Sequence, residues 1–246
     1  MLPIRQLNRT CVDPRLAKAP RFSGPKRAIL LFPLVAFLLG GCAPRADIAP
    51  DLVAVDTGQL VPVYVGTTRA RIPGALWSDA EPGRLNYARV DVSVPEEHEP
   101  GLIELPGSRP DPKTDFLTRR VVPCGDRAAF RTAVARAIAA AEPAGDEVVV
   151  TVHGFNNTMG EGVFRAAQMI RDFEIEGPTF HYAWPSRGAP LAYAADRDAA
   201  LLARDGLERM LDDIRDAGAR GIVIVAQRWK FSGRWPCRAT APLSRA

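Results

Sequence analysis

The segment 147–157 contains the residues whose types and spacing most favour chemistry. An apolar, β-branched run ends at Val152, and a polar turn follows at once with four candidate residues: His153, Gly154, Phe155 and Asn156. In a doubly wound sheet, ligands bind at the carboxyl ends of such strands, where the next helix points free amides outward. Backbone amides after a His-Gly step can bind an oxyanion. The pattern therefore predicts an oxyanion loop; the structural alternative is that Gly154 only relieves a tight turn, which His153 caps.

Alternating helices and strands would position this turn. Periodicity predicts helices over 126–141, 160–174 and 193–217 and strands over 147–152, 179–183 and 221–225. Thr158 and Glu161 fit a capping box that starts the helix after the turn. This alternation indicates the α/β class, with a mostly parallel sheet and helices on its faces. We expect the three strands 147–152, 179–183 and 221–225 to be adjacent and buried in this sheet.

Two earlier segments, 61–66 and 87–94, have the composition of strands. The second alternates strictly between polar and apolar residues, which indicates one solvated face. We therefore expect antiparallel N-terminal strands, with 87–94 as an edge strand. Residues 95–116 are rich in Pro, Gly and acidic residues and are predicted to form a surface loop.

The N-terminus has the pattern of an export signal. Residues 28–41 form an apolar stretch after Arg21, Lys26 and Arg27, and the sequence Leu-Gly-Gly-Cys ends it at Cys42. The stretch is short for a membrane span and contains a proline. We predict a lipoprotein signal peptide over 1–41, lipidation of Cys42 and a tether over 42–58; the alternative is an ordinary secretory signal with an incidental cysteine.

The basic net charge of +4 belongs to the two ends of the chain. Residues 1–41 and 227–246 together hold twelve Lys and Arg and one acid, which leaves 20 bases against 27 acids in 42–226. That part has a net charge of −7, so the charge pattern argues against a nucleic-acid partner.

The four cysteines do not indicate a metal site or a disulfide framework. Cys11 and Cys42 lie in or next to the signal segment, and the spacing of Cys124 and Cys237 matches neither pattern. We predict no metal and no cofactor.

The tail 227–246 differs in composition from the rest of the chain. It has no acid and no period, and two tryptophans stand beside clustered arginines. If the codons after Val225 are read one nucleotide later, they can encode His-Ser-x-Gly, the nucleophile elbow of an α/β-hydrolase. We therefore expect that the tail is out of frame and that 59–226 is the N-terminal part of a hydrolase domain.

With this elbow in view, residues 61–225 resemble a family of α/β-hydrolase-like envelope proteins of the esterase/lipase superfamily whose function is undefined. The resemblance is carried by six segments: 63–69, 85–95, 152–156, 164–168, 184–186 and 193–197. It implies a partial α/β-hydrolase fold. It also implies that Gly154 and Phe155 lie in the oxyanion loop and that Trp184 and Ser186 line the site.

The triad of this fold follows the chain order Ser, acid, His from the elbow onward, so no residue of this chain can be assigned a catalytic role by motif. His153 precedes the elbow and is interpreted as a structural member of the oxyanion turn. The interpretation of Ser186 is a turn-stabilising hydroxyl. Asp196 and Arg197 are interpreted as helix-terminal surface charges.

Two functions remain from the sequence. One is a lipid-anchored serine esterase or lipase-like hydrolase that is inactive as written and whose intact relatives act on small acyl esters. The other is a non-catalytic envelope lipoprotein that binds a partner. Both place the chain in a bacterial cell envelope, held by its N-terminal lipid, with the outer membrane facing the periplasm as the expected site.

Overall fold

The computed structural model describes residues 45–51, 58–72, 76–78, 80–141 and 147–227. The predicted signal peptide, Cys42 and the tail after Gln227 lie outside the described residues. The described strands are β1 (Gln59–Arg69), β2 (Pro82–Val94), β3 (Leu117–Pro123), β4 (Glu147–Val152), β5 (Thr179–Ala183) and β6 (Gly221–Ala226). The α-helices are α1 (Arg127–Ala140), α2 (Met159–Asp172), α3 (Tyr193–Leu202) and α4 (Arg204–Asp216), and a 3-10 turn, Pro190–Ala192, precedes α3.

The six strands form one sheet in the order β3-β2-β1-β5-β4-β6. β2 is antiparallel to both of its neighbours, whereas β1, β5, β4 and β6 are mutually parallel. This confirms the predicted α/β class with a mostly parallel sheet and flanking helices. Since β4 lies between β5 and β6, the turn after β4 is flanked by the carboxyl ends of two parallel strands.

Helices cover both faces of the sheet. On one face, α2 packs through Val163, Phe164, Ala166 and Ala167 against β1 and β2. On the other, α1 and α4 contribute Phe130, Val134, Met210 and Ile214. The helical periodicity of these apolar positions explains why each helix buries a single stripe. None of the helices among the described residues combines the length and the apolarity needed to cross a bilayer.

The first residues of the predicted tether pack against the domain. Ala46 and Ile48 are 5% and 7% exposed and belong to the core on the α2 face. Asp51 N–H donates to the carbonyl oxygen of Thr118 at 2.9 Å. Residues 45–51 are therefore part of the folded domain.

The prediction that 87–94 is an edge strand with one wet face is wrong. β3, which the sequence reading placed in no element, pairs with β2 and covers that edge. Asp91 is 1% exposed because Arg89 Nε and Arg120 Nη2 lie 2.9 and 2.7 Å from its two carboxylate oxygens. Paired charge thus takes the place of water on the polar face of β2.

The predicted helix 193–217 is two helices that meet at Ala203. The phenol of Tyr182 on β5 donates to the carbonyl oxygen of Ala203. Gly206 lies so close to this phenol that a Cβ there would be 2.4 Å from its oxygen. A contact from the sheet therefore coincides with the junction of α3 and α4.

The strand 221–225 is parallel to β4 and adjacent to it as predicted, but the expectation that it is buried is wrong. Its residues are half-buried or exposed, and Val223 is 38% exposed. β6 is the last strand of the sheet within the described residues. The apolar run of β6 therefore indicates a strand, whereas the burial of that strand depends on the elements that pack against it.

A buried carboxylate joins α4 to α1 and β2. Asp213 is fully buried; the phenol of Tyr87 donates to its Oδ2 at 2.6 Å, and Arg127 Nη2 lies 2.7 Å from its Oδ1. Burial and the hydrogen bond to Asp213 raise the pKa of Tyr87, so the phenol stays protonated and donates.

Candidate functional site

The turn after β4 runs from His153 to Asn157 and leads into α2. Asn156 has a φ of 59°, a left-handed conformation that asparagine tolerates better than most residues. Thr158 then caps α2: its hydroxyl accepts from Glu161 N–H, and Glu161 accepts from Thr158 N–H. The predicted capping box is confirmed, and it fixes where the turn ends.

His153 is buried and joins this turn to the end of β5. Its Nδ1 lies 3.0 Å from the carbonyl oxygen of Gly154, and its Nε2 lies 3.2 Å from that of Trp184. The two rings stack with centroids 4.8 Å apart. Burial lowers the pKa of His153 to about 4, so the ring is neutral at pH 7 and can donate only one hydrogen bond. A ring held in this way orients the turn.

Two donors of the turn converge on one oxygen. Gln227 Oε1 accepts from Gly154 N–H at 3.3 Å and from the Asn157 side-chain amide at 2.9 Å. Gln227 N–H in turn donates to the carbonyl oxygen of Val152 at 2.9 Å, which holds the backbone of residue 227 beside β4. Two N–H groups aimed at one carbonyl oxygen are the arrangement that stabilises an oxyanion.

The other predicted members of the loop have different contacts. The carbonyl oxygen of Asn156 accepts from Arg45 Nη2 at 2.9 Å, and the ring of Phe155 meets that of Tyr193 edge to face at 5.4 Å. Asn157 was not among the predicted loop residues, although it adjoins them. The sequence alone does not indicate which of the two successive asparagines, Asn156 or Asn157, directs its side chain toward residue 227.

Trp184 and Ser186 are 3% and 1% exposed. The Trp184 indole donates to the carbonyl oxygen of His153 at 2.9 Å. Ser186 Oγ donates to Asp196 Oδ2 at 2.7 Å and accepts from Gly188 N–H at 3.3 Å. These bonds fix the positions of the two residues that are predicted to line the site.

The interpretation of Asp196 as a surface charge is wrong, because this carboxylate is fully buried. Besides the hydroxyl of Ser186, it accepts from Arg187 N–H at 2.9 Å, so it ties the first turn of α3 to the loop after β5. Its sequence position in a first helical turn fits both roles. Arg197 matches its interpretation: it is exposed and pairs locally with Asp198.

Ser186, His153 and Asp196 are residue types of a catalytic triad, but their connections differ from those of a triad. The carboxylate accepts directly from the serine hydroxyl, whereas both imidazole nitrogens face backbone carbonyl oxygens. A triad needs the imidazole between the acid and the hydroxyl. This arrangement stabilises loops and does not activate Ser186.

A second buried histidine lies behind the first, which the sequence reading did not identify. His181 Nδ1 lies 2.8 Å from the hydroxyl of Thr151, and its ring centroid is 5.6 Å from that of His153. Burial, with the neighbouring His153 and Arg69, lowers the pKa of His181. Its position in a buried strand resembles that of any apolar residue, so the sequence offers no signal for it.

Within the described part of the chain, no group of three or more His, Cys, Asp or Glu side chains is placed to hold a metal ion. A cleft of about 620 Å³ lies elsewhere, between the end of β1 and the junction of α3 and α4, and its lining includes Arg84, Arg127 and Arg209. This cleft does not include the turn after β4, so we assign the candidate site from hydrogen-bond geometry.

Part of the chain matches a known protein-family model. Residues 126–228 match the family described as alpha/beta hydrolase of unknown function (DUF900). The match extends from the N-cap of α1 to the residue after Gln227 and includes the whole candidate turn; the resembling segments 63–69 and 85–95 lie outside it. Comparisons with curated proteins and with solved structures gave no match. Over residues 126–228, the chain is therefore similar to an alpha/beta hydrolase family of undefined function.

Proposed function

We propose that this protein is a lipid-anchored hydrolase-family protein whose turn after β4 binds the oxygen of an acyl group. The convergence of Gly154 N–H and the Asn157 amide on Gln227 Oε1 carries the proposal. An amide oxygen is chemically close to the carbonyl oxygen of an ester, so donors that hold one can hold the other. In serine hydrolases, one such donor contributes about 3–4 kcal/mol to the stability of the transition state.

Position 227 is the expected position of the nucleophile. It follows β6 directly, and in the proposed shifted reading frame it would carry the serine of His-Ser-x-Gly. β6 and β4 are parallel neighbours, so their carboxyl ends meet at one edge of the sheet. A serine there would stand beside the same two donors that now bind Gln227, as acyl transfer requires.

The polypeptide as written has no attacking group at this position, because a glutamine amide is not a nucleophile. His153 is an unsuitable base, since its two nitrogens face carbonyl oxygens and its burial opposes the charge that a base acquires. We therefore propose that this sequence lacks triad-dependent ester hydrolysis, whereas the frame-restored chain hydrolyses acyl esters.

The alternative function is non-catalytic binding of a partner in the envelope. One observation favours it: the donor pair already holds an amide oxygen without any covalent chemistry. The same pair could hold a backbone carbonyl or a carboxylate of a partner. This alternative requires that Gln227 be displaced from the donors.

Anchoring through Cys42 completes the proposal. It is supported by the basic residues, the apolar stretch and the Leu-Gly-Gly-Cys sequence before the domain. Ala43, rather than an acidic residue, follows Cys42 and favours the outer membrane. Mass spectrometry of the membrane fraction should find a diacylated peptide that begins at Cys42; a protein that retains earlier residues would overturn this part.

Activity is tested with a serine-directed fluorophosphonate and with p-nitrophenyl butyrate. The protein with the present sequence should neither bind the probe covalently nor hydrolyse the ester. The frame-restored protein, with His-Ser-x-Gly after Val225, should do both, and replacement of its new serine by alanine should abolish both.

Two results would overturn the proposal. Probe labelling of the unrestored protein would contradict its inactivity. A frame-restored protein that is folded by circular dichroism, yet neither labels nor hydrolyses, would contradict the hydrolase proposal and favour partner binding.

A further inference from the structure

Arg45 connects the start of the folded domain to the candidate turn. Its Nη2 donates to the carbonyl oxygen of Asn156 at 2.9 Å, and its Nε lies 3.0 Å from Glu161 Oε1. The carbonyl oxygen of Ala46 accepts from the Thr158 hydroxyl at 2.8 Å. The chain therefore enters the domain at the candidate site.

The chain around Arg45 packs closely against the domain, which leaves this segment little conformational freedom. A Cβ on Gly160 would lie 2.6 Å from the carbonyl oxygen of Ala46, and one on Gly188 would lie 3.0 Å from Arg45 Nη2. Ala46 and Ile48 are buried in the core. Backbone, ion pair and apolar contacts thus hold the same short segment against the turn.

Only Ala43 and Pro44 separate Arg45 from Cys42 in the sequence. Three residues of fully extended chain span at most about 11 Å, roughly a third of the thickness of a bilayer core. A lipid on Cys42 therefore restricts the candidate turn to the vicinity of the membrane surface.

An exposed apolar rim lies on the same side of the domain. Leu191 is fully exposed at 100%, Tyr193 is 44% exposed, and Tyr193 contacts Phe155 of the turn. Gly188, which adjoins Arg45, precedes this rim by a few residues. A leucine beside a tyrosine, whose ring is apolar and whose hydroxyl is polar, suits a membrane interface.

We infer that the apolar rim of Leu191 and Tyr193 rests on the bilayer that holds the Cys42 lipid, so that the candidate site takes acyl esters of membrane lipids. The inference rests on the proposed lipidation and hydrolase lineage. It adds the substrate class and the orientation of the site. The partner of this surface is the membrane that anchors the protein. The competing substrate class is a soluble short-chain ester.

The test uses the lipidated protein purified from membranes, with Cys124→Ser and Cys237→Ser, reconstituted in phosphatidylethanolamine and phosphatidylglycerol vesicles that contain a nickel-chelating lipid. A nitroxide is placed at Leu191→Cys or, as a control, at Leu102→Cys. Leu102 is 50% exposed, and its neighbour Gly101 bonds to Asp172 at the far end of α2. The two ends of this 14-residue helix are about 20 Å apart.

The nitroxide at position 191 should relax at least threefold more strongly with headgroup nickel than the one at position 102. Arg45→Ala should reduce this contrast, whereas Arg171→Ala, which changes an exposed arginine at the other end of α2, should leave it unchanged.

Equal relaxation at positions 191 and 102, in a protein whose Cys42 is shown by mass spectrometry to be lipidated, would overturn the inference and leave the proposed function standing. An unlipidated Cys42 would overturn both the inference and the proposed anchoring. In the frame-restored enzyme, a soluble butyrate ester hydrolysed faster than vesicle phospholipid would overturn the substrate class alone.

Discussion

His153 and Trp184 bond to each other's backbone in both directions. His153 Nε2 lies 3.2 Å from the carbonyl oxygen of Trp184, and Trp184 Nε1 donates to the carbonyl oxygen of His153 at 2.9 Å. The two residues follow directly after β4 and β5, so this reciprocal pair joins the ends of neighbouring strands at the candidate site.

Folding stability should fall as the pH decreases from 6.5 to 4. Burial lowers the pKa of His153 from 6.5 to about 4, so the unfolded chain binds a proton in this range that the folded chain does not. If His153 is fully protonated in the unfolded chain and stays neutral in the folded chain, this difference lowers the free energy of unfolding by about 3 kcal/mol. Urea unfolding at half-unit pH intervals measures this loss. His153→Phe keeps a ring against Trp184 and should lose less stability over the same range; an unchanged pH dependence would contradict the prediction.

Gln227→Glu should stabilise the fold at pH 7 by about 1 kcal/mol, because hydrogen bonds to a charged acceptor are stronger than those to an amide. The two donors should also lower the pKa of the new carboxylate below 4.3. Its contribution is therefore present above pH 4.3 and is lost as the pH falls through the lowered pKa. Urea unfolding of both proteins at pH 7 and pH 3 isolates this difference. Gln227→Met, which lacks the acceptor, should be less stable than both at pH 7; equal stability of all three would contradict the donor assignment.

Asp213→Asn should lower the unfolding free energy by about 2–3 kcal/mol, because the fully buried carboxylate accepts charge-assisted bonds from Arg127 and a phenol bond from Tyr87. The neighbouring Asp212 is exposed and pairs only with Arg215 in the described contacts of its side chain. Asp212→Asn should therefore change stability by less than about 0.5 kcal/mol. Chemical denaturation of the two variants gives the comparison, and similar losses would disprove the clamp.

Gly162→Ala should destabilise the protein although alanine is the better helix former. A Cβ on Gly162 would lie 2.3 Å from His181 Nε2, and the ring is held from its other side by Thr151. Overpacking costs about 1–3 kcal/mol, which exceeds the helix propensity gain of about 1 kcal/mol. A Cβ on Gly125 would meet nothing within 4 Å, so Gly125→Ala serves as the control. Thermal unfolding should separate the two; a more stable Gly162→Ala protein would contradict the packing argument.

Local signals in the sequence were sufficient for the elements around the site. The capping box of Thr158 and Glu161 and the apolar run of β4 depend on neighbouring residues, and both are confirmed. Because β4, α2 and β5 are predictable in this way, the position of the turn after β4 is predictable too.

Features set by distant partners were not predictable. Alternation in β2 cannot reveal that Arg120 on β3 pairs with Asp91. A helical run cannot show that a phenol of β5 meets the carbonyl of Ala203. The same limit applies within the site: Asn157 and Gln227 are 70 residues apart, so their contact appears only once β4 and β6 are paired.

Glu161 uses both carboxylate oxygens, and the two uses have a mechanical consequence. Oε2 accepts from Thr158 N–H in the helix cap, while Oε1 holds Arg45. A tensile load applied to the chain at Arg45 is therefore delivered to the first turn of α2, along whose axis the backbone hydrogen bonds run. Of the helices that the structure describes, α2 alone has a capping box, so pulling at this attachment point loads the best-capped of them.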